Sequence, residues 1–463
     1  MHLGHRLAVA LFCVLFGAGL FAPADAARAG TTRLSLDADP AYAGNETTLR
    51  VVLVDGGGVG VANATVTLER RTAGEWAPVA TVTTDESGRA TQRVALSRTP
   101  GDNVFRGTYA GDVVHEPAEG QVAVVLERRG SRLVVGGPDE VVDGRAVPVL
   151  VRWTTTNGEP VAGPVTLQRS VSGGPWRLFR TLRTGDDGRA EITTTPRQDT
   201  RWRARAGGQA WVEGDESPVH GIDNLPPVPP VRLPAAAPSP RRRLPPQSHG
   251  TGAGANVVIT AIPDGVWAQM SGRSWHSGCP VGRGDLRLVQ VNYWDYHGYL
   301  RRGELVAESA AAGPIGAAIA EMYQRKLPIR AMYRVDRFGY GSRSHGGDDY
   351  ASMAAGNTSA FNCRDVTGRP GVRSPHSYGR SLDINTWENP YRSARGTVPN
   401  TWWQGHSHRR VAWRSRSHPV VQIMARHGLR WTYGLGDTQH FDYVGGSGRA
   451  AYARPIPCDQ FCD

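Results

Sequence analysis

The stretch VTLERR, residues 66–71, returns almost unchanged about 100 residues later as VTLQRS, residues 165–170. The same interval separates two tryptophans, since Trp76 is matched by Trp176. An internal period of this length corresponds to one small β domain per repeat. The first half of the chain therefore contains two copies of one unit, and this repeat decides the fold that we expect there.

Each repeat alternates polar and apolar residues over short runs, as in residues 65–68, and separates the runs by glycine-containing turns such as DESGRA and GDDGRA. Alternation between turns is typical of β-strands with one buried face. We predict two all-β immunoglobulin-like sandwiches, residues 31–128 and 131–220, which resemble the Ig-like repeats of bacterial surface proteins. Neither repeat has the cysteine pair of antibody domains.

Length and composition favour a multidomain protein that meets an anionic surface. The chain has 463 residues, with 57 glycines and 32 prolines, which is enough for about three domains. The formal net charge of +11 suits an anionic polymer such as the acidic glycopolymers of a bacterial wall. The basic residues are scattered, with Arg241-Arg242-Arg243 as the one tight run, so we predict no nucleic-acid partner.

The N-terminus has the pattern of an export signal. A basic start precedes an apolar run at residues 7–21, and Ala24-Asp25-Ala26 supplies a small-x-small cleavage pattern. We expect a signal peptide over residues 1–26, with an uncleaved anchor as the alternative. No other stretch is apolar for long enough to span a bilayer, so we expect a secreted, cell-wall-associated protein.

A proline-rich segment follows the repeats. Residues 221–256 include PPVPPVRLPAAAPSP and a glycine-rich end. Polyproline extends at about 3 Å per residue and acts as a semi-rigid spacer. We therefore expect a linker between independent bodies.

From residue 257 onwards, tryptophan, histidine and cysteine become more frequent. Alternation predicts strands at residues 286–293 and 329–335, and apolar residues at helical spacing predict a helix at residues 311–325. Acidic residues at the start of 348–355 indicate a second helix. We predict a mixed α+β domain over residues 257–463.

Four cysteines remain after removal of the signal, and all lie in this domain. An even number in an exported protein favours disulfides. Of the three possible pairings we favour Cys279–Cys363 with Cys458–Cys462, because the second pair is local. A cysteine zinc site is the alternative, although the paired C-x-x-C spacing is absent.

Two segments of the C-terminal domain carry residue types that hold zinc in hydrolases. In SPHSYGRSLDIN, His376 and Asp383 can reach one ion if the chain turns at Gly379 and then enters a strand. In GDTQHFDYV, His440 opens a strand-like run, and Asp437 precedes it by three residues. A hydrolytic zinc site needs about three such ligands and one open position for water. An acidic residue close to a ligand histidine is well placed to act as the general base.

These two segments together resemble the zinc D-alanyl-D-alanine carboxypeptidase and L-alanyl-D-glutamate endopeptidase family of cell-wall enzymes. The family pattern is S-x-H-x-x-G-x-A-x-D, followed later by an acidic residue, two others and a histidine. The matching residues are Ser374, His376, Gly379, Asp383, Asp437 and His440. Ser381 stands where the family has alanine, and Asp437 is shorter than the glutamate of many carboxypeptidase members.

The resemblance implies Zn²⁺ as the cofactor, held by His376, Asp383 and His440. It also implies that the ion activates a water molecule for attack on an amide carbonyl, with Asp437 as the catalytic proton acceptor. A cation is then needed for a substrate carboxylate or the developing oxyanion. Arg364 is our first choice for this catalytic and substrate-binding role.

Two further residues complete the expected substrate site. Arg334 is our second choice for the cation, and Ser374 is expected to contact the substrate. If Cys363 is bridged, its disulfide would stiffen the backbone beneath Arg364.

The function that the resemblance implies is hydrolysis of an amide bond in peptidoglycan stem peptides, by a monomer. A protein of another class is the first alternative: a wall-binding or adhesive protein whose peptidase-like domain is inert. A hydrolase that acts on another amide is the second alternative.

Overall fold

The computed structural model describes residues 29–366, 369–393 and 396–445. The predicted signal peptide at residues 1–26 and the predicted Cys458–Cys462 disulfide lie outside these ranges. In the described part of the chain, strands greatly outnumber helices. None of the helices in these ranges combines the length and the apolar character that crossing a bilayer requires.

The first repeat forms two antiparallel sheets that share one apolar core. Its strands are β1 (Thr32–Asp37), β2 (Ala41–Tyr42), β3 (Glu46–Asp55), β4 (Thr65–Thr72), β5 (Glu75–Thr83), β6 (Arg89–Ala95), β7 (Val104–Tyr109), β8 (Ala118–Ala123) and β9 (Leu126–Glu127). One sheet has the order β1-β3-β6 and the other the order β5-β4-β7-β8, while β2 pairs with β9.

The alternation in the sequence decides which side chains face this core. On β4, Val66 and Leu68 are fully buried, whereas Thr65 and Thr67 between them are exposed. Phe105 on β7 joins the same core from the neighbouring strand. Burial of such side chains contributes about 1.5–3 kcal/mol each.

The second repeat has the same two-sheet arrangement. Its strands are β10 (Ser131–Gly136), β11 (Glu140–Val142), β12 (Val147–Thr155), β13 (Gly163–Val171), β14 (Arg177–Thr184), β15 (Arg189–Thr194), β16 (Thr200–Ala206), β17 (Asp215–Glu216) and β18 (His220–Leu225). The sheets have the orders β10-β12-β15 and β11-β18-β16-β13-β14, with β17 beside β16. Strand β18 runs past residue 220 into the segment that was expected to be linker.

One buried hydrogen bond shows how closely the repeats correspond. Thr84 Oγ1 donates to the carbonyl of Val61 at 2.6 Å, and Thr184 Oγ1 donates to that of Val161 at 2.7 Å. Both threonines lie at the end of an edge strand, β5 or β14, and bind the segment that precedes the neighbouring strand, β4 or β13. The two-sheet fold therefore repeats in detail, while its immunoglobulin-like identity stays a prediction.

The segment after the second sandwich lies along the C-terminal domain. Val228 is buried, and its amide donates to Gly298 at 3.4 Å. Trp387 Nε1 donates to the carbonyl of Pro238 at 2.7 Å. Gln247 Oε1 accepts from the amide of Met332 at 3.2 Å. We call residues 226–255 the strap, because they are bound to the domain at several points and do not form a free spacer.

The C-terminal domain combines short sheets with four α-helices in the described residues. Its helices are α1 (Asp264–Met270), α2 (Ser309–Gln324), α3 (Asp349–Ala354) and α4 (Pro419–Arg426). Its strands are β19 (Val258–Ala261), β20 (Leu286–Trp294), β21 (Leu300–Glu308), β22 (Tyr340–Gly341), β23 (Gly346–Gly347), β24 (Asp365–Val366), β25 (Arg369–Arg373), β26 (Ser381–Asp383), β27 (Tyr391–Ser393), β28 (Gly396–Val398), β29 (Leu429–Arg430) and β30 (His440–Tyr443).

Helix α2 joins the two larger sheets of this domain. It packs on the sheet β19-β20-β21 and contacts α4, and it shares its core with the sheet β26-β30-β29. Its apolar face buries Ile315, Ile319 and Met322, as the helical spacing predicted. The core then continues to Leu382 and Phe441, which lie within the two sequence motifs.

The strand predicted at residues 329–335 is wrong. The segment is extended, but it makes a single bridge, between Ala331 and Asn357. The amide of Ile329 donates to the carbonyl of Trp294 at 2.9 Å, but further along the amides bind side chains, since Met332 donates to Gln247 and Tyr333 donates to Asn357 Oδ1 at 2.8 Å. Alternation revealed the extended conformation but not the missing partner strand.

Candidate metal centre

Two neighbouring strands bring the sequence motifs together. Strand β26 pairs antiparallel with β30, and this register sets Asp383 directly opposite His440. His376 comes from the 3-10 turn that precedes β26. The chain leaves that turn at Gly379 in the left-handed conformation, with φ of 71°. A Cβ there would lie 2.7 Å from the amide nitrogen of Glu308, so the turn requires glycine.

The three predicted ligands converge on one point. His376 Nε2 lies 3.1 Å from His440 Nδ1 and 3.2 Å from Asp383 Oδ2. His440 Nδ1 lies 3.1 Å from Asp383 Oδ1. All three side chains are buried. Two nitrogens and one carboxylate are thus close enough to bind a single cation.

The outer nitrogen of each imidazole is held by an oxygen acceptor. His376 Nδ1 lies 2.7 Å from the carbonyl of Ala360, and His440 Nε2 lies 2.9 Å from Asp442 Oδ1. A proton on each outer nitrogen leaves a lone pair on each inner nitrogen. This orientation is the one that metal-binding histidines require.

Asp442 connects the centre to residues that the motif does not include. Its Oδ1 also accepts from Ser381 Oγ at 2.7 Å, and its Oδ2 accepts from Thr432 Oγ1 at 2.6 Å. Burial would raise the pKa of Asp442, but His440 and these hydroxyls outweigh it and lower the pKa to about 2. Ser381, the departure from the family alanine, thus helps to hold the carboxylate that orients His440.

Asp437 is buried beside the three candidate ligands, and its Oδ1 has no hydrogen-bond partner among the described residues. Burial raises the pKa of this carboxyl well above its ordinary value, and the carboxylates of Asp383 and Asp442 add to the effect. The positive charges of His440 and Arg364 offset it only in part. An oxygen without a partner in a buried site is available for a water molecule or a substrate.

Arg364 lines the same small cavity as the three candidate ligands and Asp437. Its guanidinium forms an ion pair with Asp349 on α3 at 2.8 Å. Tyr391 and Gln439 also face this cavity. The candidate ligands and a buried arginine therefore line the same cavity.

The backbone of Arg364 is fixed from both sides. Its amide donates to Ser377 Oγ at 3.0 Å, and its carbonyl accepts from the amide of Ser374 at 3.0 Å. The preceding residue, Cys363, forms the predicted disulfide with Cys279. Ser374 is buried behind the site and is not one of the described residues that line the cavity, so its placement differs from the substrate contact that we predicted.

Arg334 also differs from its predicted role. Its guanidinium donates to Asp336 and Gln269 and pairs with Glu304 at 2.7 Å. It does not belong to the described residues around the cavity. The acidic neighbours hold its charge in a buried network, which leaves Arg364 as the candidate for substrate binding.

The donor set suits zinc. In proteins zinc is bound by imidazole nitrogens and carboxylate oxygens, and one coordination position is left open at hydrolytic sites. The cluster supplies two imidazoles and Asp383, with one ligand atom from each within 4.8 Å of the others. The unpartnered oxygen of Asp437 adds a proton acceptor at the same place.

Comparison with known proteins agrees with this centre. Residues 367–443 match the family model described as D-alanyl-D-alanine carboxypeptidase. The match includes the three candidate ligands and Asp437, and it identifies a peptidase-like domain in this part of the chain. It does not extend to the sandwiches. No curated protein matches the chain.

Solved structures give only distant similarity. One is a tetra-tandem repeat in the extending region of a large adhesion protein, with 12% identity, a TM-score of 0.30 and coverage of 61% of this chain and 64% of that one. Another is the native conformation of E. coli alpha-2-macroglobulin, with 10% identity, a TM-score of 0.19 and coverage of 57% and 18%. The chain thus spans less than two thirds of either, and scores this low define no shared fold.

Sequence reasoning missed Asp442 and assigned Asp349 a different role. Asp442 stands two residues after His440 on β30, so strand alternation places both on one face. That signal was available. The acidic pair Asp348-Asp349 was expected to cap α3, and Asp348 does so by accepting from the amide of Ala351 at 2.9 Å. The pairing of Asp349 with Arg364 depends on tertiary structure alone.

Proposed function

We propose that the C-terminal domain is a zinc-dependent peptidase that hydrolyses an amide bond of peptidoglycan stem peptides. The bond is that of a D-Ala-D-Ala carboxypeptidase or of an L-Ala-D-Glu endopeptidase. The convergence of His376, Asp383 and His440 carries this proposal, together with Asp437, whose Oδ1 has no hydrogen-bond partner among the described residues. The family match over residues 367–443 supports it.

His376, Asp383 and His440 would hold the zinc ion. When bound, zinc polarises a carbonyl oxygen and lowers the pKa of a water molecule toward neutrality. The chain prepares this site by its outer hydrogen bonds: the carbonyl of Ala360 and the carboxylate of Asp442 fix both rings. The ligands therefore need little rearrangement to bind the ion.

Asp437 would act as the general base and general acid of the reaction. Its Oδ1 faces the cavity without a partner, so it can accept a proton from the attacking water and return it to the leaving amine. The shorter side chain, compared with glutamate, is compensated only if the backbone brings it closer. Strand β27 fixes the backbone of Asp437 beside the cavity, through a bridge between Tyr391 and Asp437.

Arg364 would orient the substrate. Its guanidinium lines the cavity, and Asp349 holds it in place at 2.8 Å. A carboxylate of the stem peptide or the oxyanion of the transition state is the group that it would bind. The fixed backbone on both sides of Arg364 keeps this cation in register with the ligands.

The rest of the chain fits a role outside the cell. The N-terminal signal pattern, the net charge of +11 and the substrate together favour a secreted, wall-associated monomer. The sandwiches would then act as spacers or as wall-binding modules. Stem peptides are the expected partner, and anionic wall polymers are a second one.

Digestion of purified muropeptides tests the proposal. The zinc-loaded chain and its Asp437→Ala variant are incubated with defined stem peptides, and the products are weighed by mass spectrometry. Loss of one alanine indicates a carboxypeptidase, and scission within the stem indicates an endopeptidase. We expect the variant to bind zinc and release no product.

Arg334→Lys serves as the matched control, because Arg334 is buried and charged but does not face the cavity. It should keep the product of the wild type. A wild type as inert as Asp437→Ala, with zinc bound in both and binding to whole walls intact, would establish the wall-binding alternative instead.

A further inference from the structure

The two sandwiches carry a matching cluster on the outer face of their larger sheet. In the first, Arg106 lies over the ring of Trp76, with 4.4 Å from the guanidinium carbon to the ring centre. In the second, Arg203 lies over Trp176 at 4.5 Å. The pairing registers of β4 with β7 and of β13 with β16 give the same equivalence. Positions on the two faces can therefore be compared one by one.

That comparison shows a difference in charge. At three outward positions a neutral residue of the first sandwich is replaced by arginine in the second. The three pairs, by register, are Val104 and Arg201, Thr108 and Arg205, and Thr83 and Arg183. In addition, Glu69, which pairs with Arg106 at 2.6 Å, is matched by the neutral Gln168.

The fold does not require these arginines. The first sandwich forms the same sheet with valine and threonine at the equivalent positions. Arg183 and Arg201 are exposed and form no ion pair with any described residue. Arg203 and Arg205 share one carboxylate, that of Glu216, at 2.8 and 2.6 Å. Two further carboxylates, Asp223 on β18 and Glu140 on β11, lie on this face at the edge next to Arg201. With Glu216 they make three acidic groups against the four arginines, so among the described residues a smaller excess of positive charge remains.

The arrangement of the charges indicates a linear ligand. Arg201, Arg203 and Arg205 alternate along β16 and point to one side, about 7 Å apart from one to the next. Arg183 extends the row across β13 to β14. Guanidinium groups are weakly hydrated and bind phosphate through two parallel hydrogen bonds. A row of them is complementary to a chain with regularly repeated phosphates.

We propose that this arginine face, formed by Arg183, Arg201, Arg203 and Arg205, binds phosphodiester-linked polyol chains of a cell wall. The choice of a wall polymer as the source of phosphate rests on the proposed function. The excess positive charge is independent of the proposed function. Binding there would hold the chain at the wall through the second sandwich and leave the first without this contact.

Titration of the full chain with purified glycerol-phosphate polymer tests this proposal. The variant Arg183→Thr/Arg201→Val/Arg205→Thr carries the residues of the first sandwich at the same positions, so it should fold. We expect its affinity at low salt to fall by at least about tenfold. The slope of log affinity against log salt should decrease by about 2, since each phosphate contact contributes roughly 0.7 to 0.9.

A matched control removes three exposed arginines from the opposite sheet of the same sandwich, as Arg132→Thr/Arg152→Val/Arg189→Thr. It changes the net charge equally, and we expect affinity within about twofold of the wild type. Equal losses in both variants would show attraction to net charge alone and would overturn the proposal. Circular dichroism of both variants checks that the sandwich is folded.

Two further probes separate the possible sources. Polyglutamate should bind at least tenfold more weakly than the polyol phosphate, and duplex DNA should not bind more tightly than it. Tighter binding of either probe would overturn the wall polymer as occupant. If the wild type does not bind the polymer but cleaves soluble stem peptides, this inference alone is refuted. If it binds the polymer but cleaves no stem peptide, the proposed function alone is refuted.

Discussion

The sandwiches and the C-terminal domain use their interiors in opposite ways. In the described residues of the sandwiches, Asp143 is the one charged side chain that is buried, and Arg197 pairs with it at 3.2 Å. The C-terminal domain buries a whole group of charged or titratable side chains. They are Asp295, Arg334, Asp336, Asp349, Arg364, His376, Arg380, Asp383, Glu388, Asp437, His440 and Asp442.

Burying charge is costly unless partners compensate for it. Most of this group is compensated: Arg334 pairs with Glu304, and Glu388 pairs with Arg330. Asp437 is the exception among the candidate active-site residues, with an unpartnered oxygen and a raised pKa. The sandwiches thus have an almost uncharged interior, whereas the C-terminal domain buries a carboxyl whose charged form is unfavourable, at its candidate active site.

The largest effect should come from removing that charge. Asp437→Asn should lower kcat by about 10²–10⁴-fold, because the amide cannot accept the proton. It should not lower the melting temperature, since Oδ1 of this buried carboxyl has no hydrogen-bond partner in the described part of the chain. Steady-state kinetics, zinc content and calorimetry on the same sample provide the check. Activity within threefold of the wild type, or a clear loss of stability, would contradict the contrast drawn between the two regions.

A core substitution in the second sandwich should have the opposite effect, lowering stability without changing activity. Trp202 is fully buried and packs edge-on against Phe179. Trp202→Ala should destabilise the second sandwich by about 3–5 kcal/mol and leave the kinetic constants on soluble stem peptides unchanged. Denaturant unfolding measures the first quantity. Leu178→Ala, at a side chain that is 63% exposed, is the control and should cost less than about 0.5 kcal/mol.

Metal affinity should respond to the residues behind His440. Asp442→Asn should weaken zinc binding by about 10- to 100-fold, because the amide no longer fixes the imidazole with a charged acceptor. Ser381→Ala should have a smaller effect, since Thr432 still donates to the other oxygen. Competition with a chromogenic chelator measures both, and Ser377→Ala, whose hydroxyl binds Arg364 instead, is the control. An affinity unchanged in Asp442→Asn would remove this residue from the centre.

A surface ion pair should give the smallest effect. Glu321 on α2 accepts from Arg426 and from His427 Nε2 on the α4 side, and these partners, Arg426 first, lower its pKa to about 2. Glu321→Gln should cost less than about 1 kcal/mol at pH 7. Because the folded pKa is lowered, the contribution exists above the ordinary value of 4.5 and disappears as the pH falls toward 2. Urea unfolding at pH 6 and pH 3 should show the difference shrinking.

The sequence was most informative where a repeating physical pattern was present. Alternation identified the strands of both repeats, because one buried face imposes it on every strand. The ligand cluster was also predictable: a turn at Gly379 allows His376 and Asp383 to reach one ion, and the resemblance of the two motifs to the peptidase family implied His440 as the third ligand. His376, Asp383 and His440 therefore appear together in the structure as expected.

The remaining features depend on contacts between distant segments. Ser381 looked neutral in the motif, and only the pairing of β26 with β30 brings its hydroxyl to Asp442. The false strand at residues 329–335 arose because alternation does not reveal whether a partner strand exists. Sequence ranked Arg364 first and Arg334 second for the same role, and only the tertiary contacts with Asp349 and Glu304 show which of them faces the cavity.

The strap changes where this protein can be divided. A fragment that began at residue 257, where the composition changes, would lose the buried Val228, the carbonyl that binds Trp387 and the side chain of Gln247. It would expose apolar surface and leave polar groups without partners. The smallest fragment that folds as the complete C-terminal domain should therefore begin near residue 226. The proline-rich sequence belongs to this domain, and an exchange of modules would have to cut on its N-terminal side.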